Sequence, residues 1–315
     1  MENSTLLHVR PAKFYINGFF SFPQGTYFYI FMWFVYLATV FGNIVLLLII
    51  LLVRALHTPK YMVVFNLALT DLCGSTSLIP KLLDTFLFEN RYIEFKACLS
   101  YMFFVLFFSS MQSWTLAIMS FDRFIAICFP LQYHSVVTKP VVVLMLLFVW
   151  LISLCILGTV VGLIDHLSFC KSLVIQSYYC DHESLYHIAC NSALVNQQFV
   201  MFGGVVIFLI PLSLIGCSYV NIAIVLKKTS VGARVKAIKT CTSHLMLVAI
   251  FFIPLITAKT AVHLPNFNPN TRMTNFVLSQ TIPSLLNPFV YSLKTEEMRN
   301  VIKHICGRCK PKIIQ

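Results

Sequence analysis

Charged side chains are scarce in this sequence, and acidic ones are the scarcest. Asp and Glu together number 11 among 315 residues, and the four charged types make up only 11% of the chain. A soluble domain carries about 25% charged residues, so this chain lacks the polar surface that a water-soluble fold needs. Glycine is also rare, with 11 residues against 29 phenylalanines, which argues against a fibrous or disordered chain. The composition instead suits a lipid bilayer.

Signatures of catalysis and of transport are absent. The sequence has no HExxH, GxSxG or P-loop motif, and no internal repeat of the kind that two-half transporters show. The net charge is +12, yet the basic residues do not cluster on one water-soluble face as in a nucleic-acid-binding protein. We therefore expect no enzyme, no cofactor or metal and no nucleic-acid partner, and keep a polytopic transporter only as a minor alternative.

Seven apolar runs are each long enough to cross the hydrocarbon core, which takes about 20 helical residues. Helices are required because lipid offers backbone groups no hydrogen-bond partner, and the runs are too long for barrel strands. The last run is the least apolar, so its polar side should face the bundle interior. The sequence thus predicts an all-α membrane protein, a seven-helix bundle, with spans near 27–53, 61–87, 98–127, 140–164, 197–226, 238–262 and 272–293.

The distribution of Lys and Arg predicts how the chain crosses the membrane. With the amino terminus outside, fifteen of the 23 basic residues fall on the cytoplasmic side beside only three acidic ones, so that face carries the whole net charge. We expect a plasma-membrane protein with an extracellular segment 1–26, a bundle 27–293 and a cytoplasmic segment 294–315. The triplet NST at Asn3 is then a glycosylation acceptor, and the last segment predicts a short amphipathic helix on the inner leaflet.

Four cysteines fall outside in this orientation, where disulfides form: Cys98, Cys170, Cys180 and Cys190. They allow three pairings, and the residues alone do not choose between them. Three of the four lie in one long loop, CKSLVIQSYYCDHESLYHIAC. We expect a stapled loop of this length to cover a binding site, with an idle loop as the alternative. Beyond the last span, Cys306 and Cys309 are either palmitoylated or reduced thiols.

Polar residues inside the spans form a stripe on the third span. At 100° per residue, Val105, Ser109, Gln112 and Arg123 fall within about 60° of one another. Buried polar groups must find partners, so we expect the stripe to meet other polar groups in the interior, with waters or a cation. Plain interhelical hydrogen bonding is the other interpretation. The first, second and seventh spans contribute one such residue each, namely Asn43, Asp71 and Asn287, and of these we expect the charged Asp71 to act as a switch.

The sixth span carries a second feature. Phe252, Lys259 and His263 share one face within about 40°, and Pro254 bends the helix between them. Lys259 lies about one turn inside the outer boundary. It either extends to the lipid headgroups or presents a cation to an outer cavity, where it would suit a carboxylate ligand.

Several motifs appear in a consistent order along these spans. They are GN at Gly42, LHTPKYMVVFNLALTDL around Asp71, MSFDRFIAICFPLQYHSVVT from Met119, SY at Ser218, KAIKTCTSHL from Lys236 and NPFVY from Asn287. With seven spans and the loop cysteines, the chain resembles the olfactory (odorant) receptor family of rhodopsin-like G-protein-coupled receptors. The motifs cover residues 42 to 293, nearly the whole predicted bundle.

The resemblance implies a function, a disulfide pattern and three sets of site residues. It implies a receptor that binds a small odorant in the outer half of the bundle and raises cAMP through an olfactory-type stimulatory G protein. A receptor for a non-odorant small ligand is the alternative. The implied disulfides are Cys98–Cys180 and Cys170–Cys190. The implied ligand contacts are Met102, Val105, Leu106, Ser109, Gly203, Ile207, Phe252 and Lys259. The implied activation switch comprises Asp122, Arg123, Tyr219, His244, Asn287, Pro288 and Tyr291, and the interior polar or cation site comprises Asn43, Asp71 and Gln112.

The chain also departs from the family pattern. Gln112 stands where the family has a third-helix glutamate, so the family's cation coordination beside Asp71 is in question here. Phe252 stands where a tyrosine hydroxyl takes part in ligand response. These changes fit a divergent branch that handles different odorants.

Overall fold

A computed structural model describes residues 10–18, 25–170, 172–191, 194–260, 269–294 and 298–302. Seven long helices run through the described part: α1 Gly25–Leu52, α2 Pro59–Phe86, α3 Phe95–Cys128, α4 Lys139–Asp165, α5 Leu194–Lys227, α6 Val231–Thr260 and α7 Pro269–Lys294. The predicted all-α seven-helix bundle is thereby confirmed. Asn3, His263, Cys306 and Cys309 lie outside the described residues, as does the side chain of Lys259.

Short elements connect the long helices. Single turns of 3₁₀ helix cover Arg54–Leu56 and Pro130–Gln132, and short α-helices cover Tyr133–Val136 and His182–Ile188. Residues 298–302 are helical, and Met298 is fully buried against the bundle. The predicted spans match the long helices except at the start of α6, which begins at Val231 instead of near 238. Hydropathy marks only the lipid-embedded part, and α6 continues beyond it through polar residues.

The seven helices differ in how much of their surface the protein buries. Helix α3 is central, with most of its side chains enclosed along its length. Helices α1, α4 and α5 expose large apolar side chains such as Phe34, Leu48 and Phe148, which suit contact with lipid. Within the part of the chain that the structure describes, six helices, α1 to α6, are apolar and long enough to cross a membrane. In α7, polar residues including Ser279, Thr281, Ser284 and Asn287 are buried in the bundle, as the low hydropathy of that span predicted.

Pro211 shapes the interior by leaving a carbonyl group without its helical donor. Pro211 has no N–H to give to the carbonyl of Ile207, and α5 forms a π-helical turn, Val205–Leu209, just before it. The hydroxyl of Ser113 in α3 donates to that carbonyl at 2.8 Å. This bond satisfies the Ile207 carbonyl and attaches α5 to α3.

A small sheet and two disulfides cover one end of the bundle, here called the disulfide end. Strand β1, Lys13–Ile16, pairs antiparallel with β2, Tyr92–Glu94, and parallel with β3, Val174–Ile175. The disulfides are Cys98–Cys180, which ties the long loop to α3, and Cys170–Cys190, which closes the loop on itself. These are the two pairings that the family resemblance implies.

The segment before α1 is held to this end by buried side chains. Phe14 and Ile16 are both fully buried. The ring of Phe14 lies 5.3 Å from that of Phe169 and 5.9 Å from that of Phe95, measured between centroids. Arg10 adds an ion pair with Asp165 at 2.8 Å. Residues far apart in sequence are thus joined into one cap.

We expect Phe14→Ala to destabilise the cap. Truncating a fully buried Phe removes apolar burial and leaves a cavity, at a cost of about 3–5 kcal/mol. Thermal unfolding of the purified protein should show a clearly lower midpoint, whereas Lys13→Ala, an exposed position on the same strand, should leave it unchanged. Equal midpoints for the two variants would show that β1 contributes no packing energy.

Candidate functional site

The carboxylate of Asp71 is the centre of a polar cluster that joins three helices. Asp71 in α2 is completely buried. Its Oδ1 accepts hydrogen bonds from Gln112 Nε2 at 2.8 Å and from Ser284 Oγ at 3.2 Å, and its Oδ2 accepts one from Asn287 Nδ2 at 2.6 Å. The structure therefore brings Asp71, Gln112 and Asn287 together, and Ser284, which the sequence reasoning did not single out, joins them.

Asn43 forms a hydrogen bond with the backbone of α7, beside the cluster, and not with the Asp71 carboxylate. Pro288 has no N–H for the carbonyl of Ser284, four residues earlier, and Asn43 Nδ2 donates to that carbonyl at 3.0 Å. The helices can approach closely because residue 42 is glycine, where an added Cβ would lie 3.3 Å from Pro288 Cβ. Gly42–Asn43 and Asn287–Pro288 are therefore two halves of one contact between α1 and α7.

The cluster around Asp71 does not fit a cation held between Asp71 and residue 112. A cation would need an oxygen ligand from the third helix, but Gln112 turns its Nε2 to the cluster and donates to Asp71 and, at 2.9 Å, to Ser284 Oγ. Among the described residues no group of three or more His, Cys, Asp or Glu is arranged to hold a metal. The amide N–H groups stabilise the carboxylate instead.

The residues implied as ligand contacts lie in the half of the bundle toward the disulfide end. Met102, Val105 and Ser109 of α3 are buried, and Leu106 is partly buried between the two main apolar clusters of the core. Ile207 and Phe252 are buried in α5 and α6, and the rings of Phe251 and Phe252 meet edge to face. All of these side chains are apolar except for the hydroxyl group of Ser109.

Gly203 has a different environment from the other implied ligand contacts. A Cβ added there would lie 3.0 Å from Ile156 Cγ2 of α4. This face of the residue therefore packs against α4, and glycine permits the close approach of the two helices. The backbone of Lys259 lies in the last turns of α6.

The opposite end of the bundle, the Arg123 end, holds an acid–base pair and a tyrosine. Arg123 Nε lies 3.7 Å from Asp122 Oδ2, and Tyr133 from the following short helix donates its hydroxyl to Asp122 Oδ1 at 2.7 Å. Tyr133 is in the motif that begins at Met119, but nothing in its spacing assigned it a role. The carboxylate therefore accepts from Tyr133 at one oxygen and faces Arg123 with the other.

His244 connects α6 to two other helices near this end. Its Nε2 lies 3.1 Å from the carbonyl oxygen of Leu116 in α3, and its Nδ1 lies 2.8 Å from the hydroxyl of Tyr219 in α5. Because a carbonyl only accepts, Nε2 carries the proton, and in the neutral ring Nδ1 accepts from Tyr219. In α7, Tyr291 donates to Met119 Sδ at 3.1 Å. Helices α3, α5, α6 and α7 are therefore linked by polar contacts near this end.

We expect Gln112→Glu to make the stability of the protein depend on sodium. Two buried carboxylates at hydrogen-bond distance repel each other, and a cation between them removes that cost. Thermal unfolding in NaCl and in N-methylglucamine chloride of equal ionic strength should give different midpoints for the variant only. Gln112→Met, of the same length but neutral, should lower the midpoint equally in both salts. A sodium-specific shift in the unmodified protein would contradict this interpretation.

Comparisons with known proteins agree on one family. The family model described as olfactory receptor matches residues 32–308. Human olfactory receptor 1F1 is 33% identical over 307 residues, which cover 94% of this chain and 96% of that protein. Rat olfactory receptor 1 is 36% identical over 285 residues and 88% of each chain. The crystal structure of squid rhodopsin superposes with a TM-score of 0.71 at 18% identity, over 92% of this chain and 88% of that one, and so shares the fold. The chain belongs to the olfactory receptor family and is a rhodopsin-like, multi-pass receptor of the plasma membrane, not an enzyme.

Proposed function

We propose that this receptor binds a small odorant in the half of the bundle toward the disulfide end. We propose further that it activates an olfactory-type stimulatory G protein at the Arg123 end and so raises cAMP. The disulfide end and the amino terminus then face the extracellular space. Two observations support this orientation: disulfides form in oxidising compartments, and the basic residues concentrate toward the other face.

The proposed ligand surface consists of Met102, Val105, Leu106 and Ser109 with Ile207 and Phe252. Its composition suits a small, largely apolar molecule with one hydrogen-bonding group. Gly203 is left out because it packs against α4. Lys259 lies on α6 toward the disulfide end, where its ammonium group would select carboxylate-bearing odorants. Asn3 would carry a glycan on the same side of the membrane.

The observation that carries the coupling proposal is the set of bonds made by His244. Outward movement of α6 at the Arg123 end separates His244 from the Leu116 carbonyl and from Tyr219. The resting state keeps these bonds, and the active state exchanges them for contacts with a G-protein segment beside Arg123, Tyr219 and Tyr291. An odorant favours the active state only by its greater affinity for that state.

Expression with an olfactory-type stimulatory G protein and a cAMP reporter tests the ligand proposal. A panel of alcohols, aldehydes, amines and carboxylic acids should yield at least one agonist. Ser109→Leu and Phe252→Ala should each move its half-maximal concentration at least tenfold, because one fills and the other empties the proposed pocket. Lys259→Met should abolish responses to carboxylates while retaining those to alcohols.

Controls separate loss of binding from loss of receptor. Phe34→Ala removes an equally large ring from the lipid face of α1 and should leave the dose–response curve unchanged. An epitope at the amino terminus, stained in unpermeabilised cells, reports both surface expression and orientation. Unchanged curves in the pocket variants, or an inaccessible amino terminus, would overturn the proposal.

We expect His244→Leu to raise basal signalling. The substitution removes two hydrogen bonds that hold α6 in the resting state, worth about 1 kcal/mol each, so ligand-free cAMP should rise several-fold. Tyr219→Phe, which removes only one of these bonds, should produce a smaller rise. Leu245→Ala, the next residue on α6 and partly exposed to lipid, is the matched control. Basal cAMP equal to wild type at normal surface expression would show that these bonds do not hold the resting state.

A further inference from the structure

A small enclosed cavity lies between α2, α3 and α7, directly beside Gln112. Its volume is about 10 Å³, and it is lined by Gly74, Leu78, Val105, Ser109, Gln112 and Gln280. Such a volume is close to the minimum that holds one water-sized group. None of the lining side chains is ionised, so the cavity is polar without being charged.

Three of the lining side chains carry a polar atom without a hydrogen-bond partner among the described residues. Ser109 Oγ, Gln112 Oε1 and Gln280 Nε2 are each buried with no hydrogen-bond partner among the described residues. The three side chains are 3%, 4% and 8% exposed, so bulk water does not satisfy them. A buried polar atom left without a partner is destabilising, and three around one cavity indicate a shared partner.

The chemistry of that shared partner follows from the polar cluster around Asp71, which adjoins the cavity through Gln112. The Asp71 carboxylate only accepts, so Gln112 must direct Nε2 to it and Oε1 away from it. The cavity therefore offers an acceptor from Gln112, an N–H donor from Gln280 and a hydroxyl from Ser109 that does either. One hydroxyl group satisfies all of them, because its oxygen accepts twice and its proton is donated once. A carboxylate would meet the negative charge of Asp71 instead.

We infer that this cavity is a binding site for one neutral hydroxyl group, which joins α3 to α7. The site lies between the proposed ligand surface, through Val105 and Ser109, and the Asp71 cluster, through Gln112. The hydroxyl group has two possible sources, an ordered water in the ligand-free receptor or the hydroxyl end of an odorant. Only the second source rests on the proposed function.

A double-mutant cycle on purified, ligand-free receptor tests the water. Ser109→Ala and Gln280→Met each remove one partner, and each should lower the unfolding midpoint. The midpoint of the double variant should fall by less than the sum of the two single decreases. The first substitution already releases the water, so the second has no bond to that water left to remove. Ser120→Ala, a buried α3 serine bound to the Ala117 carbonyl, should add fully to Gln280→Met.

The second arm tests the ligand hydroxyl with two isomeric probes, 1-octanol and 1-methoxyheptane. The ether lacks the proton that Gln112 Oε1 would accept. A hydroxyl supplied by the ligand predicts that octanol raises the midpoint of the unmodified receptor more than the ether does, and that this difference disappears in Ser109→Ala and in Gln280→Met. Additive effects in the cycle together with equal shifts from the two probes would overturn the inference. The cycle needs no odorant, so failure of the odorant proposal would leave its result intact.

Discussion

Asp71 places a carboxylate in the middle of an apolar bundle. Because this carboxylate requires hydrogen-bond donors, it determines which faces of the surrounding helices are in contact. A buried charge is costly unless hydrogen bonds surround it. Here the donors come from Gln112 in α3 and from Ser284 and Asn287 in α7, so one group draws three helices to a common point. Lipid does not drive helices together as water does, so contacts of this kind and close packing determine which faces meet.

Pro211 and Pro288 extend the same constraint to the backbone. Each removes an N–H from a helix, and the carbonyl four residues earlier needs another donor. Ser113 supplies one to Ile207 in α5, and Asn43 supplies one to Ser284 in α7. A bilayer cannot supply water to these carbonyls, so the side chains of neighbouring helices must. The Ile207 carbonyl belongs to a residue of the proposed ligand surface and the Ser284 carbonyl lies one turn before the switch residues of α7, so both bonds hold the backbone next to the proposed site residues.

Several of these contacts follow from the residues, and several do not. The apolar runs and the low hydropathy of the last one predicted seven helices with α7 turned inward, because burial in lipid depends mainly on composition. The start of α6 was missed because its first turns are polar. The proline rule could have identified Ser284, which lies four residues before Pro288. Nothing in the sequence indicated that Tyr133 reaches Asp122, since that contact depends on the path of the loop after α3.

By itself, the sequence determined that the chain lies in a membrane, how many long helices it forms and which polar residues face the interior. Each of these properties depends only on the surrounding solvent and on helical periodicity. Only the tertiary structure decided which residues of different helices are in contact. It set the direction of the Gln112 amide, which donates to Asp71 and leaves its oxygen to a small cavity, and it set Gly203 against α4. The reason is that hydrogen-bond partners and close contacts are set by distances between helices far apart in the chain.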